Sequence, residues 1–217
     1  MNRTQIAQVI GRPFFAGAVR LVTPLRIYGQ DRIPANGPLV LCFNHFSWLD
    51  PWAIGSYVPR TLYYVAKQEA HDNPFIGPLI RTFGTMPIRR GESDREAVRL
   101  MREIVHRGDA LGMFPEGTRQ EREPGPVMPG AAMIAVQEGA PVVCGAIEGS
   151  QRWRLGNFHP VSIAFGEALD VSQHPRNSKG YRAAALDIQH ELRRLWEFLV
   201  ATQEQGRPRF AIPPAKS

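Results

Sequence analysis

Short apolar runs alternate along this chain with stretches whose apolar positions recur at helical spacing. Residues 38–43 follow the turn residues Asn36-Gly37-Pro38, are β-branched or aromatic in part, and predict a buried strand ending on Asn44-His45. Asp50-Pro51 predicts the start of a helix reaching about residue 57. Residues 26–29, 61–67, 84–88, 110–114, 141–147 and 161–165 predict further strands. Asn73-Pro74 opens a short helix toward Phe83. Ser93-x-x-Glu96 is a capping-box pattern, and Ala97, Val98, Leu100, Met101, Ile104 and Val105 give the following helix its apolar face until Gly108. Residues 129–139 predict another helix. Tyr181, Ala184, Ala185, Ile188, Leu192, Leu195, Trp196 and Leu199 lie along one face of a long last one. No internal repeat or linker interrupts the alternation, so the chain predicts a single α/β domain.

The two ends differ from the middle. Residues 1–27 hold Arg3, Arg12, Arg20 and Arg26, with no acid before Asp31, and interleave them with Ile6, Val9, Ile10, Phe14, Phe15, Val19, Leu21 and Val22. Ile6, Val9, Ile10 and Pro13 keep helical spacing, and the proline predicts a bend or break into a pair of short helices. Such a basic, amphipathic segment can lie in the headgroup layer of a membrane, or pack over the core with its arginines in water. Residues 28–205 then form the domain, and residues 206–217, with three prolines, predict a loose tail.

With 217 residues the chain supports one well-buried domain, and its 43% hydrophobic and 21% charged content is that of an ordinary globular protein. The net charge of +6 points to an anionic partner: a nucleic acid, an acidic membrane face or a phosphorylated substrate. No reading motif supports nucleic acid. No apolar run reaches the roughly 18 residues of a spanning helix. Arg12, Pro13 and Arg20 also break up any signal-peptide pattern, so the expectation is a protein kept in the cytoplasm. Cys42 and Cys144 both lie in apolar runs and predict buried thiols rather than a disulfide.

The candidate chemistry sits where the strand of residues 38–43 ends. A carboxyl-terminal strand end is where open α/β sheets place their ligand crevices. His45 and Asp50, at His-x4-Asp spacing, can fold together so that the carboxylate fixes the tautomer of the imidazole and frees its other nitrogen for a proton. The same residues also fit a capped helix beside a core histidine, or two ligands of a metal site. A second charged turn, Phe114-Pro115-Glu116-Gly117-Thr118-Arg119, follows another predicted strand.

Asn44-His45-Phe46-Ser47-Trp48-Leu49-Asp50 and Phe114-Pro115-Glu116-Gly117-Thr118-Arg119 resemble the first and third signature blocks of the glycerolipid acyltransferases, above all the 1-acylglycerol-3-phosphate (lysophosphatidate) acyltransferase family. Gly84-Thr85-Met86-Pro87-Ile88-Arg89-Arg90-Gly91 is similar to the second block and Ala140-Pro141-Val142-Val143 to the apolar fourth, in the same order across about residues 38–148. The resemblance implies a mixed, mostly parallel sheet flanked by helices. It also implies transfer of an acyl group from acyl-CoA or acyl-carrier protein to a lysophosphatidate-like lipid at the cytoplasmic face of an anionic membrane. His45 would be the general base and Asp50 its orienting partner, with no metal and no cofactor beyond the acyl thioester. Arg119 would be the first choice for the phosphate, Arg90 the second, with Arg89 nearby. Gly117 would let backbone approach the ligand and Thr118 would add a donor. Glu116, itself anionic, would bind within this corner by holding a donor or backbone group. Two departures stand out: Arg89 replaces a frequent acid, and Met128 replaces a lysine expected two residues before Gly130. A different lysolipid acceptor, or thioester hydrolysis, is the competing reading, although no Gly-x-Ser-x-Gly elbow is present.

Overall fold

The computed structural model describes residues 1–88 and 95–215, so Arg89, Arg90 and the Ser93 cap lie outside the described residues. The strands are β1 (Leu25–Tyr28), β2 (Leu39–Phe43), β3 (Leu62–Lys67), β4 (Thr85–Ile88), β5 (Ala110–Met113), β6 (Val142–Glu148) and β7 (Val161–Leu169). They form one sheet in the order β1-β7-β6-β2-β5-β3-β4. Every neighbouring pair is parallel except β6 with β7, whose antiparallel register shifts between Val143 and Gly145. The expected α/β domain with a mixed, mostly parallel sheet is therefore the observed one.

Helices α1 (Arg3–Val22), α2 (Asp50–Gly55), α3 (Gln68–Asp72), α4 (Ile76–Thr82), α5 (Arg95–His106), α6 (Gly130–Glu138) and α7 (Ser178–Glu204) flank the sheet. Their placement explains why β2 reads as an unbroken apolar run, since a strand covered on both faces has no polar side to show. Leu39, Leu41 and Phe43 enter one core with Val19 of α1 and Ile54 of α2. Val40 and Cys42, pointing the other way, enter a second core with Ile104 of α5, Ile134 of α6 and Ile188 and Leu192 of α7.

Two expectations are corrected, and one element is added. Residues 3–22 form one helix that runs through Pro13, not two short ones. An internal proline costs about 3 kcal/mol, and tertiary contacts on both sides of it offset that cost. The Gln8 side-chain amide donates to Leu62 O at 2.7 Å and Phe83 O at 2.9 Å and accepts from Leu62 N at 3.0 Å. Arg12 donates to Val58 O at 3.0 Å, and Phe15 stacks on Trp52 at 4.9 Å.

Where the sequence predicts a loose tail, its described part, residues 206–215, is bonded to the body of the domain. Tyr28 donates to Pro208 O, Arg32 to Pro213 O and Pro214 O, Arg194 to Ala215 O, and Arg207 to Pro24 O and Val161 O. Its proline carbonyls serve as acceptors for guanidinium and phenol donors on the body of the domain. Finally, α3 is a helix the sequence did not predict. Its five residues are mostly polar and show no periodic stripe.

Candidate active site

Parallel pairing of β2 with β5 aligns Cys42 with Met113, so the loops that follow the two strands emerge side by side. The first carries His45 and the second Glu116 to Arg119. That neighbourhood brings the two charged turns of the sequence together.

Asp50 is the first residue of α2, is followed by Pro51 and is fully buried. Its carboxylate does not cap its own helix. Oδ2 turns back over the loop and lies 2.9 Å from His45 Nδ1, while the amides of Phe46 and Ser47 donate to it at 2.6 and 2.7 Å. An Nδ1–H···Oδ2 bond puts the imidazole proton on Nδ1 and leaves a lone pair on Nε2. The His45 side chain keeps 15% exposure, so the ring is not sealed in the core. Phe114 fixes the ring plane from below, stacking on it at 4.3 Å and 28°.

The backbone of His45 is also held on both sides. Its N–H donates to Glu116 Oε2 at 2.8 Å and its carbonyl accepts from Gln120 N at 2.7 Å. The other Glu116 oxygen accepts from Gly125 N at 2.9 Å. Burial pushes the Glu116 carboxyl up to about 7; the two amides pull it down and the Asp50 carboxylate adds to the rise. Asn44 anchors the preceding position, accepting from Ile147 N at 2.8 Å and donating to Ile147 O at 3.0 Å, so the end of β2 is stitched to β6.

Gly117 has φ +72°, a left-handed backbone that favours glycine, and the nearest obstacle to a Cβ there is only the movable end of the Met128 side chain. Thr118 and Arg119 are exposed, and Arg119 makes no ion pair or hydrogen bond among the described residues. The site therefore unites His45, Asp50 and Glu116 by direct bonds and sets Gly117, Thr118 and Arg119 on the adjoining rim. Glu116 faces inward, holding backbone as the sequence allowed, with both oxygens engaged. Cys42 and Cys144 are free, buried and aligned across β2 and β6; burial pushes Cys42 up to about 12 and Cys144 well above its ordinary value.

Sequence reasoning missed the parts played by Asn44, Gln120 and Gly125. Asn44 stands beside His45 in the motif, which is a usable signal. Nothing in the order of residues pairs Glu116 with Gly125.

Comparison with known proteins bears on the same segments. The family model described as Acyltransferase matches residues 24–148, which hold both loops. The chain is 29% identical to the 1-acyl-sn-glycerol-3-phosphate acyltransferase of Bacillus subtilis (strain 168), over 80% of this chain and 89% of that protein. It is also 29% identical to the enzyme of that name from Streptococcus pneumoniae, over 78% of this chain and 65% of the relative. A lyso-ornithine lipid O-acyltransferase of Pseudomonas aeruginosa is 37% identical over 40% of this chain and 33% of its own length. The crystal structure of the 1-acyl-sn-glycerophosphate (LPA) acyltransferase PlsC from Thermotoga maritima shares the fold. Its TM-score is 0.69 at 22% identity, over 86% of this chain and 78% of that one.

Proposed function

This chain belongs to the acyltransferase family, and from that premise we propose that it moves a fatty acyl group from acyl-CoA or acyl-carrier protein to the 2-hydroxyl of 1-acylglycerol-3-phosphate, giving phosphatidic acid. The observation that carries the mechanism is the His45 Nδ1 to Asp50 Oδ2 contact of 2.9 Å on a ring that keeps 15% exposure. His45 Nε2 takes the proton of the acceptor hydroxyl as its oxygen attacks the thioester carbonyl. Asp50 holds the tautomer and stabilises the imidazolium. The carbon–sulfur bond then breaks, and the departing thiolate recovers the proton from His45, so the products are an ester and a free thiol. A thiol of pKa about 8.5 leaves readily, so no covalent enzyme intermediate is needed. A base in this position is worth about 10²–10⁴ in rate.

The exposed Arg119 guanidinium on the adjoining rim supports recognition of the acceptor phosphate, for which its planar fork is suited. Arg89 and Arg90, outside the described residues, are proposed from the resemblance of their block to add positive charge for the acceptor phosphate. The apolar outer face of α1, where Ile6, Ile10, Phe14 and Leu21 are exposed among arginines, supports contact with an anionic membrane surface. No helix among the described residues is long and apolar enough to cross a membrane.

Free-thiol release from acyl-CoA, measured with and without lysophosphatidate, tests the reaction. Release that depends on the acceptor, with phosphatidic acid as product, is expected. Release without any acceptor would identify a hydrolase instead. The likeness to a lyso-ornithine lipid enzyme supports a second reading, in which the acceptor carries no phosphate. A panel containing both lipids separates the two.

A further inference from the structure

Residues 149–160 leave β6 at the end of the sheet that carries His45, and they form a compact, self-bonded loop. Asn157 Oδ1 accepts from Arg154 N and His159 N, each at 3.0 Å, and its amide donates to Arg152 O at 2.9 Å. Arg154 donates to the carbonyls of Gln151 and Trp153. Yet the loop holds Leu155 78% and Phe158 58% exposed, and Phe158 stands at φ +48°, a backbone region unfavourable for a bulky side chain.

The loop is anchored to two other elements through the buried Trp153. The Trp153 indole N–H donates to Val22 O at the end of α1, and its ring meets Trp48 edge-on at 5.3 Å. Thr23 adds a bond of 2.6 Å to His159 O. Leu21 at 77% exposure and Trp48 at 59% thus belong to the same neighbourhood as Leu155 and Phe158. Trp48 is three positions from His45 and two from Asp50. Four large apolar side chains exposed on segments bonded to one another, one of them in the His45 loop, exceed the scattered exposure of an ordinary surface.

The charge of the neighbourhood selects the partner. No acidic residue occurs in residues 1–30 or 149–160, and although Arg152 is paired with Glu148, Arg3, Arg12, Arg20, Arg26 and Arg154 make no ion pair among the described residues. We propose that the loop of residues 149–160, with Trp48, is a second wedge that enters an anionic lipid surface beside the active-site mouth and works together with α1. This inference rests on the membrane reading of α1 given above. Its use follows from the substrate. A lipid acceptor whose headgroup must reach His45 gains if the mouth itself is seated at the bilayer, because the acyl chain then need not leave the membrane.

The test is sedimentation with vesicles of equal phosphatidylcholine and phosphatidylglycerol, using wild type, Leu155→Asp/Phe158→Asp, and Ile10→Asp/Phe14→Asp. These sites are exposed, and an aspartate tolerates the backbone at position 158 better than phenylalanine does, so thermal unfolding should be unchanged in the loop variant. The expected result is wild-type binding and a fall of about tenfold in the bound-to-free ratio for the loop variant. A Leu155→Cys protein carrying an environment-sensitive dye should shift to the blue on these vesicles, with Cys42 and Cys144 buried and unreactive. Wild-type partitioning of the loop variant, with binding lost only in the α1 variant, would overturn the wedge and leave the α1 reading standing. A wild-type protein that stays in the supernatant would overturn both.

Discussion

Glu116 accepts the backbone N–H of His45 at 2.8 Å, across 71 positions of chain. The carboxylate that heads the second charged turn thus holds the main chain of the first, and its other oxygen closes its own loop onto Gly125. Glu116→Ala would leave two buried amides unpaired, at about 1–3 kcal/mol each, and would let the His45 backbone shift. Misplacement of a reacting group by about 1 Å can cost on the order of 10²-fold in rate. We therefore expect kcat to fall by about that factor while the acceptor KM stays within about twofold. Initial-rate kinetics would contradict this if KM rose and kcat held, the pattern of a lost substrate ligand.

The raised Glu116 carboxyl also makes stability depend on pH. Unfolded, the group ionises near its ordinary 4.5; folded, it keeps its proton to about 7. Below about 4.5 both states are protonated and there is no difference between them. As pH rises from there to about 7, the folded state becomes progressively less stable, and above 7 the cost is fully present. At about 1.4 kcal/mol per pKa unit the total is on the order of 3 kcal/mol. Urea denaturation at pH 5 and pH 8 should show wild type losing stability relative to Glu116→Gln. A difference between the two proteins that stays constant with pH would contradict the buried carboxyl's role.

Asn44 predicts a stability effect that a motif reading would assign to catalysis alone. Asn44→Ala removes both bonds to Ile147 and strands a buried N–H and C=O, for a loss on the order of 3 kcal/mol. Chemical denaturation checks this, and a loss below about 0.5 kcal/mol would mean that the stitch between β2 and β6 is dispensable.

Arg119 predicts the opposite pattern. Its side chain is exposed with no partner among the described residues, so Arg119→Ala should leave stability within about 0.5 kcal/mol. The acceptor KM should rise about tenfold for a phosphorylated lysolipid, as expected for one lost charge-assisted hydrogen-bond pair. An unchanged KM for that acceptor would remove Arg119 from the site.

How much of this was legible in the sequence follows from the physics of each element. β2 could be read because burial on both faces leaves an unbroken apolar run with turn residues before it. The long α7 could be read because a one-sided helix prints its period. The reach of His45 toward Asp50 was legible as a possibility, since short spacing permits the contact, but the spacing fitted a capped helix equally well. Only the backward turn of the carboxylate onto Phe46 N and Ser47 N separates the two.

What stayed hidden depends on partners far away in the chain. The continuity of α1 through Pro13 is enforced by Gln8 bonding to Leu62 and Phe83, which no local propensity contains. The same holds for the tail, where the Pro213 and Pro214 carbonyls find Arg32 and the Ala215 carbonyl finds Arg194, and for the clamp of Glu116 on His45. The five residues of α3 are too short and too polar to announce a helix.

The account stands on His45 as the base. The most direct measurement is acceptor-dependent thiol release by His45→Ala, with circular dichroism and thermal unfolding to establish that the variant is folded. The account predicts a wild-type fold with turnover reduced by about 10²–10⁴. A folded His45→Ala protein with near-wild-type turnover would contradict it.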